Sequence, residues 1–119
     1  FHPWMKSVFF ESAPYLLEKA KLAVKKTELS HVFFGRIVTG EAFITDEGRE
    51  QMIRKFAPLS VDMETAAVAH VCYVNRIPFL AVRCITDIAV YSGCDNFEKN
   101  CAKASEIAAE LTMEIVKEL

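Results

Sequence analysis

The sequence predicts an α/β fold, and three observations predict it. Short β-branched or aromatic runs alternate with amphipathic helical stretches along the 119 residues, the alternation that builds a sheet flanked by helices. The stretch from Leu59 to Asp87 reads as a short strand, a helix and a second strand. Each of those strands delivers a carboxylate at its C-terminal end, Glu64 from the first and Asp87 from the second. Ligands in open α/β sheets bind beyond the carboxyl ends of the strands, so the two acids are candidates for one site.

Composition narrows the function classes. A hydrophobic content of 52% with 25% charged residues is that of a globular core, and residues 1–119 are read as part of a single domain. Apolar runs stop well short of the roughly 20 residues of a membrane helix, and no signal segment opens the chain. Fourteen basic against sixteen acidic residues, without a basic run, argue against nucleic acid. Cys72, Cys84, Cys94 and Cys101 form no C-x-x-C pair, so reduced thiols in a cytoplasmic protein are expected and no disulfide framework. The spacing of Cys94, Asp95 and Cys101 is too weak to predict a metal site, and neither metal nor cofactor is expected.

In chain order, Phe1, Trp4, Phe9 and Phe10 are dense enough to pack on something, without a period. Ser12 is the expected cap of a helix reaching about Thr27, with Pro14 tolerated in the first turn. Its apolar face is Leu16, Leu17, Ala20, Ala23 and Val24, with the lysines as a solvated side. His31 to Val38 suits a strand buried on both faces, and Gly35 within it suggests a bulge or close backbone approach. Phe43 then falls near the strand's carboxyl end, where its surroundings alone read as ordinary core.

A helix capped by Thr45 or Asp46 follows over residues 46–56, with Met52, Ile53 and Phe56 on one side and Pro58 beyond its end. Val61 to Met63 is the short strand, and Glu64 to Arg76 an Ala-rich helix with Ala67, Val71 and Val74 as its stripe. His70, well along that helix, is read as a packing or supporting histidine and not as an acid–base group. Phe79 to Ile85 is the second strand. Its Arg83 should pair with an acid rather than face water, on the same pleat face as Ile85 and Asp87. Residues 88–96 are expected as a loop able to cover the site. The last helix, Phe97 to Leu119, carries the stripe Phe97, Cys101, Ala104, Ala108, Leu111 and Ile115, expected to pack on its own domain.

Met63-Glu64 before an Ala-rich helix, then Arg83-Cys84-Ile85-Thr86-Asp87 ending a strand, resembles the C-terminal half of the 5′-methylthioadenosine/S-adenosylhomocysteine nucleosidases, within the purine nucleoside phosphorylase and nucleosidase superfamily. The resemblance extends from about His31 to the C-terminus. It implies a three-layer fold, a mixed central sheet flanked by helices, of which this chain supplies about half. The opening Phe1-His2-Pro3-Trp4 agrees with a part of a longer protein. Implied partners are a small nucleoside, the N-terminal half of the same protein and a second copy in a homodimer.

The same resemblance implies hydrolysis of the N-glycosidic bond with release of adenine. That bond breaks through an oxocarbenium-like sugar, which two carboxyl groups in different roles can serve. Asp87 would be the general acid at purine N7, kept protonated in a dry pocket. Glu64 would accept hydrogen bonds from the ribose hydroxyls, with Met63 against the sugar. Phe43 would stack on the base and the Ile44 backbone bond its edge, with Asp62 and Phe97 also lining the nucleoside and Arg83 and Thr86 supporting Asp87. One departure stands out: Asp62 occupies a position where much of the family has Glu, which keeps the charge and shortens the reach. The nucleophile comes from the absent half, so phosphorolysis and a silent nucleoside-binding relative stay open beside hydrolysis. Ala-Val-Ala-His-Val-Cys after Met63-Glu64 favours the nucleosidases.

Overall fold

The computed structural model describes residues 3–40, 46–86 and 94–119, with backbone alone at 46, 47 and 94–99. Its elements are helix α1 (Pro14–Lys26), strand β1 (Ile37–Thr39), helix α2 (Asp46–Phe56), strand β2 (Ser60–Asp62), helix α3 (Thr65–Val74) and helix α4 (Cys94–Glu118). The architecture is α/β, as the alternation of runs predicts. Two compact units make up the chain, Phe1–Ala13 with Phe33–Phe79 and Pro14–Val32 with Leu80–Leu119.

In the first unit β1 and β2 pair in parallel, Ile37 against Ser60, Val38 against Val61 and Thr39 against Asp62. Two further backbone bonds extend the ladder, Leu59 N–H to Arg36 C=O at 2.8 Å and Gly40 N–H to Asp62 C=O at 2.9 Å. Parallel strands need a crossover, and α2 supplies it. The ladder is shorter than the expected strand over His31 to Val38. Residues 33–35 lie outside it and Phe33 is 75% exposed, because a strand extends only as far as a neighbour accepts its hydrogen bonds. Gly35 does mark a close approach, though by a side chain: a Cβ there would sit 2.6 Å from Leu59 Cγ.

Helix α2 has the expected bounds, but its half-buried residues are Arg49, Met52 and Phe56, and Ile53 is exposed. Ala57 follows in the left-handed region at φ 44°, which turns the chain into Pro58. Two of the N-terminal aromatics, Phe9 and Phe10, find ring partners. Phe9 meets Phe56 edge-on at 6.4 Å, under the Arg36 guanidinium 4.0 Å from its ring centre. Arg36 also donates to the Phe56 carbonyl at the end of α2.

Helix α3 packs against β1, and the face it turns inward differs from the expected stripe. Ala69 is buried, Thr65, Ala66, His70 and Cys72 are half-buried, and Ala67, Val71 and Val74 are exposed. A helix apolar on nearly every side contains several i, i+4 stripes, so periodicity alone does not choose among them. The anchoring of Thr65 and Ala66 described below chooses. The helix closes in a Schellman motif, Arg76 N–H to Tyr73 C=O at 3.2 Å and Ile77 N–H to Cys72 C=O at 2.8 Å, with Arg76 left-handed at φ 56°.

In the second unit α1 begins at Pro14, so Ala13 and not Ser12 precedes it. Proline at the first helical position has no N–H to satisfy, and the Ala13 N–H bonds the Phe79 carbonyl at 2.9 Å within the first unit. Ala20 and fully buried Ala23 let α4 approach closely. Ile115 completes that core, with Leu80, Val82 and Leu111 packed against it. The stripe of α4 from Cys101 onward thus packs within the chain, as expected, and Lys26 pairs with Glu118 where the C-terminal ends of the two helices meet. That helix starts at Cys94, so Asp95 and Asn96 belong to its first turn and not to a covering loop. An acid in a first turn is favoured by the helix dipole.

Residues 79–85, expected as a strand, carry no ladder partner among the described residues. The alternation of a strand is nonetheless visible: Val82, Cys84 and Thr86 are half-buried, whereas Arg83 and Ile85 are exposed. Arg83 is therefore not in a buried strand: among the described residues no strand pairs along this segment. No helix among the described residues is long and apolar enough to cross a membrane.

Candidate functional site

The carboxyl end of the β1–β2 pair builds the site. Strand β2 ends at Asp62, Met63 and Glu64 form the bend, and α3 starts at Thr65. Glu64 is the N-cap residue, at φ −130° and ψ −31°, and its carbonyl accepts the first helical bonds from Ala67 at 3.1 Å and Val68 at 3.4 Å. Its side chain makes no capping bond. Glu64 Oε2 instead accepts from the Met63 backbone N–H at 3.3 Å. Both residues are exposed, Met63 by 45%. The two positions singled out in the sequence thus stand together at the N-terminus of a helix, where partial positive charge favours a carboxylate.

Capping is supplied from elsewhere. Asp62 Oδ1 accepts from the Thr39 hydroxyl at 2.7 Å and from the Thr65 N–H at 3.2 Å, and Asp62 Oδ2 accepts from the Thr65 hydroxyl. The Thr39 hydroxyl also accepts from the Ala66 N–H at 2.9 Å. Two N–H groups that a helix start leaves without helical partners are thereby satisfied by the last residue of each strand. Thr39 and Thr65 were missed in the sequence. The available signal was Asp62-x-x-Thr65, an acid and a hydroxyl residue three apart at a helix start, the spacing of reciprocal capping.

In the second unit Thr86 is half-buried, and its carbonyl accepts from Asn100 Nδ2 of α4 at 3.2 Å. That bond holds the chain one residue before Asp87. Arg83 is exposed three residues earlier. Phe43, Ile44 and Asp87 lie outside the described residues, and Phe97 lies in α4 with its side chain outside them. Met63 and Glu64 stand beside Asp62 at the β2–α3 bend, and Arg83 and Thr86 lie on one short segment of the second unit.

Among the described residues no group of three or more His, Cys, Asp and Glu could hold a metal ion. Cys72, Cys84 and Cys101 are half-buried thiols. What the β2–α3 bend offers chemically is a carboxylate at a strand's carboxyl end, beside a backbone N–H and a thioether, an arrangement suited to hydroxyl groups of a small ligand.

Comparison with known proteins bears on that arrangement. Residues 2–117 match the family model described as the phosphorylase superfamily. The 5′-methylthioadenosine/S-adenosylhomocysteine nucleosidase of Staphylococcus aureus strain JH9 is 32% identical over 114 residues, 94% of this chain and 50% of that protein. The chain thus spans about half the length of the curated relatives it matches. Among solved structures, futalosine hydrolase of Helicobacter pylori strain 26695 superposes with a TM-score of 0.88 at 28% identity, over 100% of this chain and 51% of that one. A Borrelia burgdorferi B31 structure, described as a nucleosidase of the same two nucleosides with adenine bound, gives 0.87 at 27% identity, over 100% and 52%.

Proposed function

The chain belongs to the phosphorylase superfamily, and on that premise we propose that the protein it forms part of hydrolyses the N-glycosidic bond of 5′-methylthioadenosine and S-adenosylhomocysteine, releasing adenine. The observation that carries the proposal is the Met63–Glu64 bend, exposed at the carboxyl end of β2 and the N-terminus of α3. The 32% identity to nucleosidases of those two substrates supports the choice of substrate.

In this reading Glu64 accepts hydrogen bonds from the ribose 2′ and 3′ hydroxyls while Met63 packs on the sugar. The negative charge of Glu64 also favours the cation that develops at the sugar as the bond breaks. Asp87 donates to purine N7 as the base departs. Phe43 stacks on the purine, the Ile44 backbone bonds its edge, and Phe97 closes the pocket. Arg83 and Thr86 belong to the segment that ends at Asp87, with the Thr86 backbone tied to α4 by Asn100. The carboxylate that activates the attacking water comes from outside this chain, so residues 1–119 alone are inactive. A cytoplasmic homodimer is the expected working form.

A second reading is a related nucleosidase with another substrate, favoured by the superposition on futalosine hydrolase. Rates of cleavage of methylthioadenosine, S-adenosylhomocysteine and futalosine by the full-length protein separate the two. The proposal expects the highest kcat/KM on the two adenine nucleosides, and preference for futalosine would replace it with the second reading.

A further inference from the structure

The start of α3 is held by the strands and not by its own N-cap residue. Thr39 and Asp62 are opposite each other in the last register pair of the ladder. The Thr39 hydroxyl makes one bond in each direction, donating to Asp62 Oδ1 at 2.7 Å and accepting from the Ala66 N–H at 2.9 Å. A hydroxyl can donate and accept at one atom in this way, which a methyl in its place cannot. Both Asp62 oxygens are engaged, one by Thr39 and the Thr65 N–H, the other by the Thr65 hydroxyl. Hydrogen bonds among Thr39, Asp62 and Thr65 therefore tie together the two ends of the exposed Met63–Glu64 bend.

We propose that the Thr39–Asp62–Thr65 network is the positioning device for Glu64, and that Asp62 acts through this network rather than by touching the nucleoside. The inference rests on the reading of Glu64 as the ribose carboxylate. Fixing a reacting geometry through supporting hydrogen bonds is where such residues act, since displacement by about 1 Å can cost on the order of 100-fold in rate.

The test uses the full-length protein. Thr39→Val keeps the side-chain shape and removes both bonds; it is expected to lower kcat/KM for methylthioadenosine by about 10- to 100-fold. Adenine affinity should stay within about twofold, because free adenine does not use the ribose carboxylate. Thr39→Ser, which keeps the hydroxyl, should restore activity. Thr65→Val is read in the same way as Thr39→Val. In a Glu64→Gln background, followed by single turnover, Thr39→Val should add less than about threefold, since residues acting as one unit are not additive.

Equal losses in both backgrounds, a parallel loss of adenine affinity, or failure of serine to rescue would overturn the inference alone. A wild-type protein that cleaves no purine nucleoside would overturn the reading of Glu64 and the inference with it, and it is recognised by the silence of the wild type itself.

Discussion

Phe10 stacks on His70, ring centroids 5.5 Å apart with 29° between planes, and the same Phe10 ring meets Tyr73 edge-on at 5.8 Å. His70 thus serves as a packing platform for the segment before α1, as its place along α3 suggested. His70→Phe in the full-length protein should keep kcat within about threefold of wild type, far from the 100-fold or greater loss of a general acid or base. Phe10→Ala should destabilise by about 1–3 kcal/mol, read from denaturant melts. A collapse of kcat in His70→Phe at unchanged stability would make the histidine catalytic after all.

Arg76 occupies the left-handed position of the Schellman motif that ends α3, where glycine carries no Cβ penalty. Arg76→Gly should therefore stabilise the protein by about 0.5–1 kcal/mol, less than the full strain because glycine also loosens the unfolded chain. Thermal unfolding checks it. A lower Tm would mean that the Arg76 side chain contributes more than its backbone costs.

How far the sequence was legible depended on whether local chemistry or long-range pairing decided the outcome. The bounds of α2 and the stripe of α4 were legible because propensity, Pro58 and a regular apolar period agreed with the packing. The inward face of α3 was not, because a helix apolar on most sides leaves that choice to the anchors Thr39 and Asp62. Among the described residues the ladder is shorter than the apolar run His31–Val38 and absent along Phe79–Ile85, since an apolar run becomes a ladder only beside a partner. In the site, Met63 and Glu64 were visible as a motif, whereas Thr39 became visible only once β1 lay beside β2.

The roles of the two acids can be separated. Asp87→Asn removes the acidic proton and should lower turnover of adenine nucleosides by about 100- to 10,000-fold. Retention of more than about a third of wild-type kcat would require another acid. Glu64→Gln should also cripple cleavage while leaving adenine binding intact. Calorimetry showing equal losses for adenine and nucleoside would contradict the ribose assignment.

Phe43→Ala should weaken adenine binding by about 1–3 kcal/mol if the ring stacks on the purine. Unchanged affinity with a much lower Tm would return Phe43 to the core.

The central claim is hydrolysis, and the sugar product tests it most directly. The full-length protein is incubated with methylthioadenosine in the presence and absence of inorganic phosphate, and the products are identified by mass spectrometry. The account predicts adenine and free methylthioribose at the same rate in both conditions. Methylthioribose 1-phosphate, formed only when phosphate is present, would contradict it and make the protein a phosphorylase.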